Sequence, residues 1–174
     1  NINSTQMVKI LKDTYQEYYL YTGGGIVTEA TLSAVNGKLL HIHPGKLPYY
    51  RGSTCFYYSY LQERLMYATA FVMQKSLDSG DIVCEKTFNI NYFLDKDQKY
   101  FIDYVADPFI RAQVLNEILS AMSSNQDIML KSQSDENAKS YYVAHPLLRY
   151  LAKRKMNDSC DMSKKLGIFE VKEF

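Results

Sequence analysis

The amino-acid sequence predicts an α/β fold, an open and mostly parallel sheet flanked by helices, and three observations predict it. Strand, glycine turn, helix and strand follow one another between Tyr19 and His43, which makes a βαβ unit, and such units build parallel sheets with right-handed crossovers. Two further apolar runs, ATAFVMQ and DIVCEKTFNI, flank the tight turn Asp78-Ser79-Gly80-Asp81 and read as strands. Residues 107–122, DPFIRAQVLNEILSAM, carry the clearest amphipathic helical pattern. A chain of 174 residues is long enough for one domain with a real core and too short for two ordinary ones.

Each element has a local reason. MVKILKDTYQEYY places Met7, Ile10, Leu11 and Tyr15 at helical spacing, and Tyr19-Leu20-Tyr21 then leads as a short strand into the turn Gly23-Gly24-Gly25. Thr28 is suited to cap a helix running through Val35, and Asn36-Gly37 stops it. Lys38 to His43 alternates as a strand, with Leu39, His41 and His43 on one face and Leu40 and Ile42 on the other. CFYYSYLQERL gives a helical stripe through Phe56, Tyr60 and Leu61. Asp107 and Pro108 sit where the N-cap and first turn of the 107–122 helix are expected. KSQSDENAKS reads as a polar surface loop, and SYYVAHPLLRYLAKRK as a short strand or turn followed by a basic helix.

Composition narrows the function classes. The formal net charge of +1 offers no overall field for a polyanion, so nucleic acid is not an expected partner. Arg149, Lys153, Arg154, Lys155, Lys164 and Lys165 cluster late in the chain, but acidic residues interleave and a solvated helix face is the plainer reading. Cysteines 55, 84 and 160 are odd in number and lack C-x-x-C spacing, which points away from a disulfide framework or a thiolate zinc site and towards a reducing compartment. No apolar run approaches the roughly 20 residues that cross a bilayer, and NINSTQMVKI lacks the order of a secretory signal. The expected location is the cytoplasm, away from membranes.

The candidate chemistry centres on HIHPGKLPYYRG. His41 and His43 share a strand face at its carboxyl end, where open α/β sheets bind their ligands. An H-x-H pair can ligate zinc, and a strand-end H-x-H resembles metal-dependent amidohydrolases. Those use a barrel of about 250 residues and further ligands, whereas this chain has one other histidine, His145. A metal is therefore not expected, and His145-Pro146 reads as structural. The glycine turn matches neither the phosphate-loop nor the dinucleotide pattern.

Taken together and in order, these features resemble a known family. HIHPGKLPYYRGS is similar to the signature of the folate-dependent formyltransferases, Asn-x-His-Pro-Ser-x-Leu-Pro-x-Tyr-Arg-Gly, matching at His43-Pro44, Leu47-Pro48, Tyr50 and Arg51-Gly52. SLDSGDIV resembles the family's Leu-Asp-x-Gly-x-Ile segment, and its Asp78 lies 35 positions after His43, near the family separation. YTGGGIVTEATLSAVNGKLLHIHPG looks like the strand, turn and helix that lead into the motif, and SQSDENAKSYYVAHP like the polar loop and Tyr that follow the core. The resemblance covers about residues 18 to 148. It embraces sugar N-formyltransferases and the glycinamide ribonucleotide and methionyl-tRNA formyltransferases.

What the resemblance implies is a Rossmann-like formyltransferase fold that lacks its opening strand-helix units, with residues 1–150 as the catalytic domain and 151–174 as a basic helix or tail. It implies transfer of a formyl group from 10-formyltetrahydrofolate to a primary amine, with an amino sugar on a nucleotide preferred. His43 and Asp78 would form the catalytic pair and His41 would take the oxyanion side. Gly24, Gly25, Ile26 and Leu77 would hold the folate, and Pro44, Arg51, Gly52 and Ser53 would border the amine. A carboxylate beside an imidazole favours its charged form and so keeps an acid available near neutral pH.

Two departures stand out. The family has Asn, a neutral amide donor, where this chain has His41, an imidazole that titrates. A working substitute is the first reading and a catalytically inactive binding or assembly module the alternative. The missing opening units would leave a sheet edge bare, and bare edges tend to pair with another chain, which extends the expectation to a homo-oligomer.

Overall fold

A computed structural model describes residues 1–23, 25–90 and 101–159. Ser4 caps the first helix, α1 (Thr5–Asp13), by accepting the Met7 N–H, and only Leu11 of its apolar residues is buried. Tyr15, which the spacing placed on that helix, lies beyond its end and is exposed. Strand β1 (Tyr18–Tyr21) runs into the glycine turn, Thr28 caps the four-residue α2 (Glu29–Leu32), and β2 (Lys38–His43) follows. β1 and β2 pair in parallel, as a βαβ unit requires, although α2 stops three residues short of Val35.

The rest of the main sheet is antiparallel. β4 (Met66–Val72) pairs with β2, and β5 (Ile82–Phe88) pairs with β4, giving the order β1-β2-β4-β5. The sheet is therefore mixed and not mostly parallel. Residues 73–81 join β4 and β5 as a hairpin, which reverses the chain, and residues 44–65 bring β4 back antiparallel beside β2. A two-stranded parallel ribbon, β3 (Arg51–Gly52) with β6 (Ser140–Tyr141), lies apart from the main sheet and ties the loop after β2 to the late polar segment.

One sheet face carries the main core. Ile42, Ala68, Ala70 and Phe88 meet Phe56 and Tyr60 of α3 (Cys55–Glu63), Ile110, Val114 and Ile118 of α4 (Asp107–Ser123), and Ala152 and Met156 of α5 (Pro146–Ser159). The small Ala68 and Ala70 let α4 approach β4 closely, while Ile110, Val114 and Ile118 recur every four residues on its inward face. α5 runs straight across the boundary placed at residue 150, because Ala152 and Met156 are buried in this same core.

α4 does not start at a capped Asp107. A π-helical turn (Ile102–Ala106) feeds directly into it, so Asp107 is already helical and pairs with Arg111 one turn on. Lys164 and Lys165 of the late basic cluster, and the third cysteine, Cys160, lie outside the described residues. No helix among the described residues is long and apolar enough to cross a membrane.

Candidate active site

His43 ends β2 and is 2% exposed. Its Nε2–H donates to the Tyr50 carbonyl at 2.6 Å, so in the neutral ring Nδ1 holds the lone pair. That Nδ1 faces Asp78 Oδ2 at 3.6 Å, beyond hydrogen-bonding distance and close enough for strong Coulombic coupling. Burial pushes the His43 pKa below its ordinary value of 6.5, against the opposing pull of Asp78 and of the Tyr50 carbonyl. The carboxylate acts in the direction expected from sequence, but desolvation outweighs it, so the resting ring is neutral.

Asp78 lies in the β4–β5 connection with φ +50°, a left-handed conformation uncommon for a residue with a side chain. Its Oδ2 accepts the Gly52 N–H at 2.8 Å. Gly52 has φ +100°, and a Cβ there would stand 2.2 Å from the Tyr141 carbonyl oxygen. Only glycine fits, and the Arg51-Gly52 dipeptide thereby orients the carboxylate through backbone.

His41 stands beside His43 on the same strand face and is half-buried. Its Nδ1–H donates to the Tyr21 carbonyl at 2.9 Å. Its ring sits 5.6 Å from that of Tyr21 and 5.9 Å, edge-on, from that of Phe71, its cross-strand partner. Both histidines thus give one ring N–H to a backbone carbonyl, and among the described residues no group of three or more His, Cys, Asp or Glu is placed to hold a metal. His145 accepts the Leu147 N–H at the start of α5, away from this pair.

These groups open onto a cavity of about 910 Å³. His41, His43, Pro44, Gly52, Ser53, Leu77, Asp78, Gly25 and Ile26 all line it, while Gly24 lies outside the described residues. The turn is held from behind: Asn3 Nδ2 donates to the Ile26 carbonyl, and Asn3 Oδ1 accepts the Thr28 N–H. Ile26 and Leu77 are 83% and 61% exposed, an open apolar wall of the same cavity as His43 and Asp78. Arg51 is elsewhere. Its guanidinium turns away from the cavity, with Nη2 donating to Gln133 Oε1 at 3.0 Å and pairing with Asp135 at 2.8 Å.

Sequence reasoning missed several members of the wall. Tyr21, Phe71, Asp103 and Asp107 line the cavity too, and each aspartate is bound to an arginine, Asp103 to Arg149 and Asp107 to Arg111. Burial raises the Asp107 pKa against the pull of Arg111. Asp107 was legible only as a helix start. Its functional setting depends on the preceding π-helical turn, which no short-range pattern marks.

The architecture is that of formyltransferases, with the histidine and aspartate of the two motifs brought to one cavity. A methionyl-tRNA formyltransferase from Clostridium thermocellum superposes with a TM-score of 0.57 at 18% identity, over 84% of this chain and 58% of that one. A sugar N-formyltransferase from a Shewanella species gives 0.62 at 17% identity, over 90% of this chain and 65% of that one. An N-formyltransferase from Helicobacter canadensis, solved with folinic acid and dTDP-3-aminofucose, gives 0.58 at 16% identity, over 77% and 48%. The chain thus spans 48% to 65% of the length of these structures. No family model and no curated protein matches the sequence.

Proposed function

We propose that the chain is the catalytic part of an N-formyltransferase that moves a formyl group from 10-formyltetrahydrofolate to the primary amine of a nucleotide-linked amino sugar. The observation that carries the reading is the neutral His43 with its lone pair on Nδ1, facing Asp78 Oδ2 at 3.6 Å at the base of an open cavity. Support for the sugar comes from the Helicobacter protein, solved with folinic acid and dTDP-3-aminofucose, and from the Shewanella sugar N-formyltransferase. The balanced charge of this chain agrees with a small-molecule acceptor.

The cavity suits a reduced folate. Its volume falls within the range of ligand pockets, about 300–1,000 Å³, and Ile26, Val27, Met73 and Leu77 supply apolar walls beside the bare backbone of Gly25. When bound, the folate supplies an activated formyl carbon and a nitrogen leaving group. The chain supplies proton handling. His43 Nδ1 takes the proton that the attacking amine must lose, and Asp78 stabilises the imidazolium so formed. The Tyr50 carbonyl keeps the ring from rotating away. The same proton is then available for the leaving nitrogen.

The reading is tested by calorimetric titration of a stable reduced-folate analogue into this chain and its Asp78→Asn variant, followed by tetrahydrofolate release with a panel of amines. Both proteins are expected to bind the analogue with affinities within about tenfold, because Asp78 acts on the proton and not on the ring. Turnover is expected to fall by about a hundredfold or more in the variant. Failure of the folded full-length protein to bind the analogue would overturn the assignment, and binding without turnover would favour the inactive module.

A further inference from the structure

Gln133 lies in the polar stretch KSQSDENAKS, which the sequence marks only as a surface loop, yet it is the hub of a network beneath Asp78. Its Nε2 donates to the carbonyls of Asp78, at 3.1 Å, and Gly80, at 2.5 Å. Its Oε1 accepts the Arg51 guanidinium at 3.0 Å. The backbone next to it is fixed as well, since Lys131 and Ile82 exchange two hydrogen bonds across the mouth of β5.

We propose that Gln133 is a positioning residue for Asp78, its amide clamping the left-handed Asp78 backbone and, through Arg51, the Arg51-Gly52 strand whose N–H orients the carboxylate. Two independent geometric facts converge on this assignment. A residue with a side chain at φ +50° persists only when its surroundings hold it there, and the Gln133 amide bonds its own carbonyl. The carboxylate is aimed by Gly52, and the neighbour of Gly52, Arg51, is anchored on the other end of the same amide. One side chain thus fixes both the backbone and the donor that decide where Asp78 Oδ2 stands relative to His43. The need for both an acceptor and a pair of donors explains an amide there, because a carboxylate would face two carbonyls and an apolar side chain would release all three groups.

The proposal rests on the formyl-transfer reading for its effect on turnover, and its structural half is tested without it. Histidine NMR titration of the 174-residue chain reads His43, whose ring is influenced by Asp78, by His41 on the same strand, by Arg111 from α4 and by the Tyr50 carbonyl. In Gln133→Met and Gln133→Ala the apparent His43 pKa is expected to fall by about 0.5, in the same direction as in Asp78→Asn, since a displaced carboxylate no longer favours the charged ring. In the Asp78→Asn background the second substitution is expected to change nothing further. With an active acceptor, kcat is expected to fall about tenfold to a hundredfold, with acceptor KM within about twofold. An unchanged or raised His43 pKa in the folded variants, or losses that simply add to those of Asp78→Asn, would overturn the proposal. A His43 titration that tracks Gln133 in a chain that transfers no formyl group would instead uphold the positioning and remove the enzymatic reading.

Discussion

This chain departs from the formyltransferase signature at Gly45, in place of Ser, and at His41, in place of Asn, and the hydrogen bond of His41 decides what the second departure means. The Nδ1–H is committed to the Tyr21 carbonyl, so the neutral ring presents a bare lone pair at Nε2, an acceptor where the signature asparagine presents an N–H. Only the imidazolium donates from both nitrogens. Replacing His41 by Asn should restore a permanent donor, and the variant is expected to exceed the parent in tetrahydrofolate release by about tenfold. Equal rates in the two proteins would show that position 41 does not donate to the reacting oxygen.

Among the elements, the smallest has the largest leverage on the site. β3 is two residues long, yet it pairs with β6, carries Arg51 to Gln133 and aims the Gly52 N–H at Asp78. Gly52 joins two constraints, φ +100° and a Cβ position 2.2 Å from the Tyr141 carbonyl oxygen. Gly52→Ala is expected to destabilise the fold by about 2–4 kcal/mol, measured by urea denaturation, and to abolish turnover with it. An alanine variant of parental stability would mean that β3 and β6 separate at no cost. The strand pairs themselves were partly legible. The alternation from Lys38 to His43 marked β2 and its inward face, and the hairpin turn at 78–81 marked β4 and β5. Their antiparallel hydrogen bonding made the sheet mixed, because adjacent strands joined by a tight turn must reverse direction.

At the scale of the molecule, the buried neutral His43 couples the site to global stability. Its native pKa lies below 6.5, so as pH falls below that value the unfolded chain binds a proton that the native chain does not. The stability contributed by keeping this ring neutral is present above about pH 6.5 and is lost on acidification, by up to about 1.4 kcal/mol per pH unit until the native ring also titrates. Glu85 and Asp107, whose carboxyl pKa values burial raises, act in the opposite sense at lower pH. The His43 contribution is isolated by comparison with His43→Gln, whose midpoint of urea unfolding should fall less between about pH 7 and pH 5.5 than that of the parent. Equal falls in the two proteins would show that His43 is already solvated in the native state. α5 shares in the same unfolding unit, since Ala152 and Met156 are buried with Ile110 and Phe88.

The sequence by itself determined the identity and order of the two signature motifs, the βαβ entry into the sheet, and the placement of His41 and His43 near the end of a strand and of Asp78 in a turn between two strands. Those features are local: two-residue alternation, turn chemistry and short signatures act over a few residues and can be read there. The tertiary structure alone decided that Arg51 bonds to Gln133 and Asp135, that Asp103 and Asp107 line the same cavity as the histidines, and that Gln133 reaches Asp78 across 55 positions of sequence. It also decided the direction in which the His43 pKa moves. Desolvation is a property of everything packed around a ring, and no spacing in the chain records that burial outweighs a carboxylate 3.6 Å away.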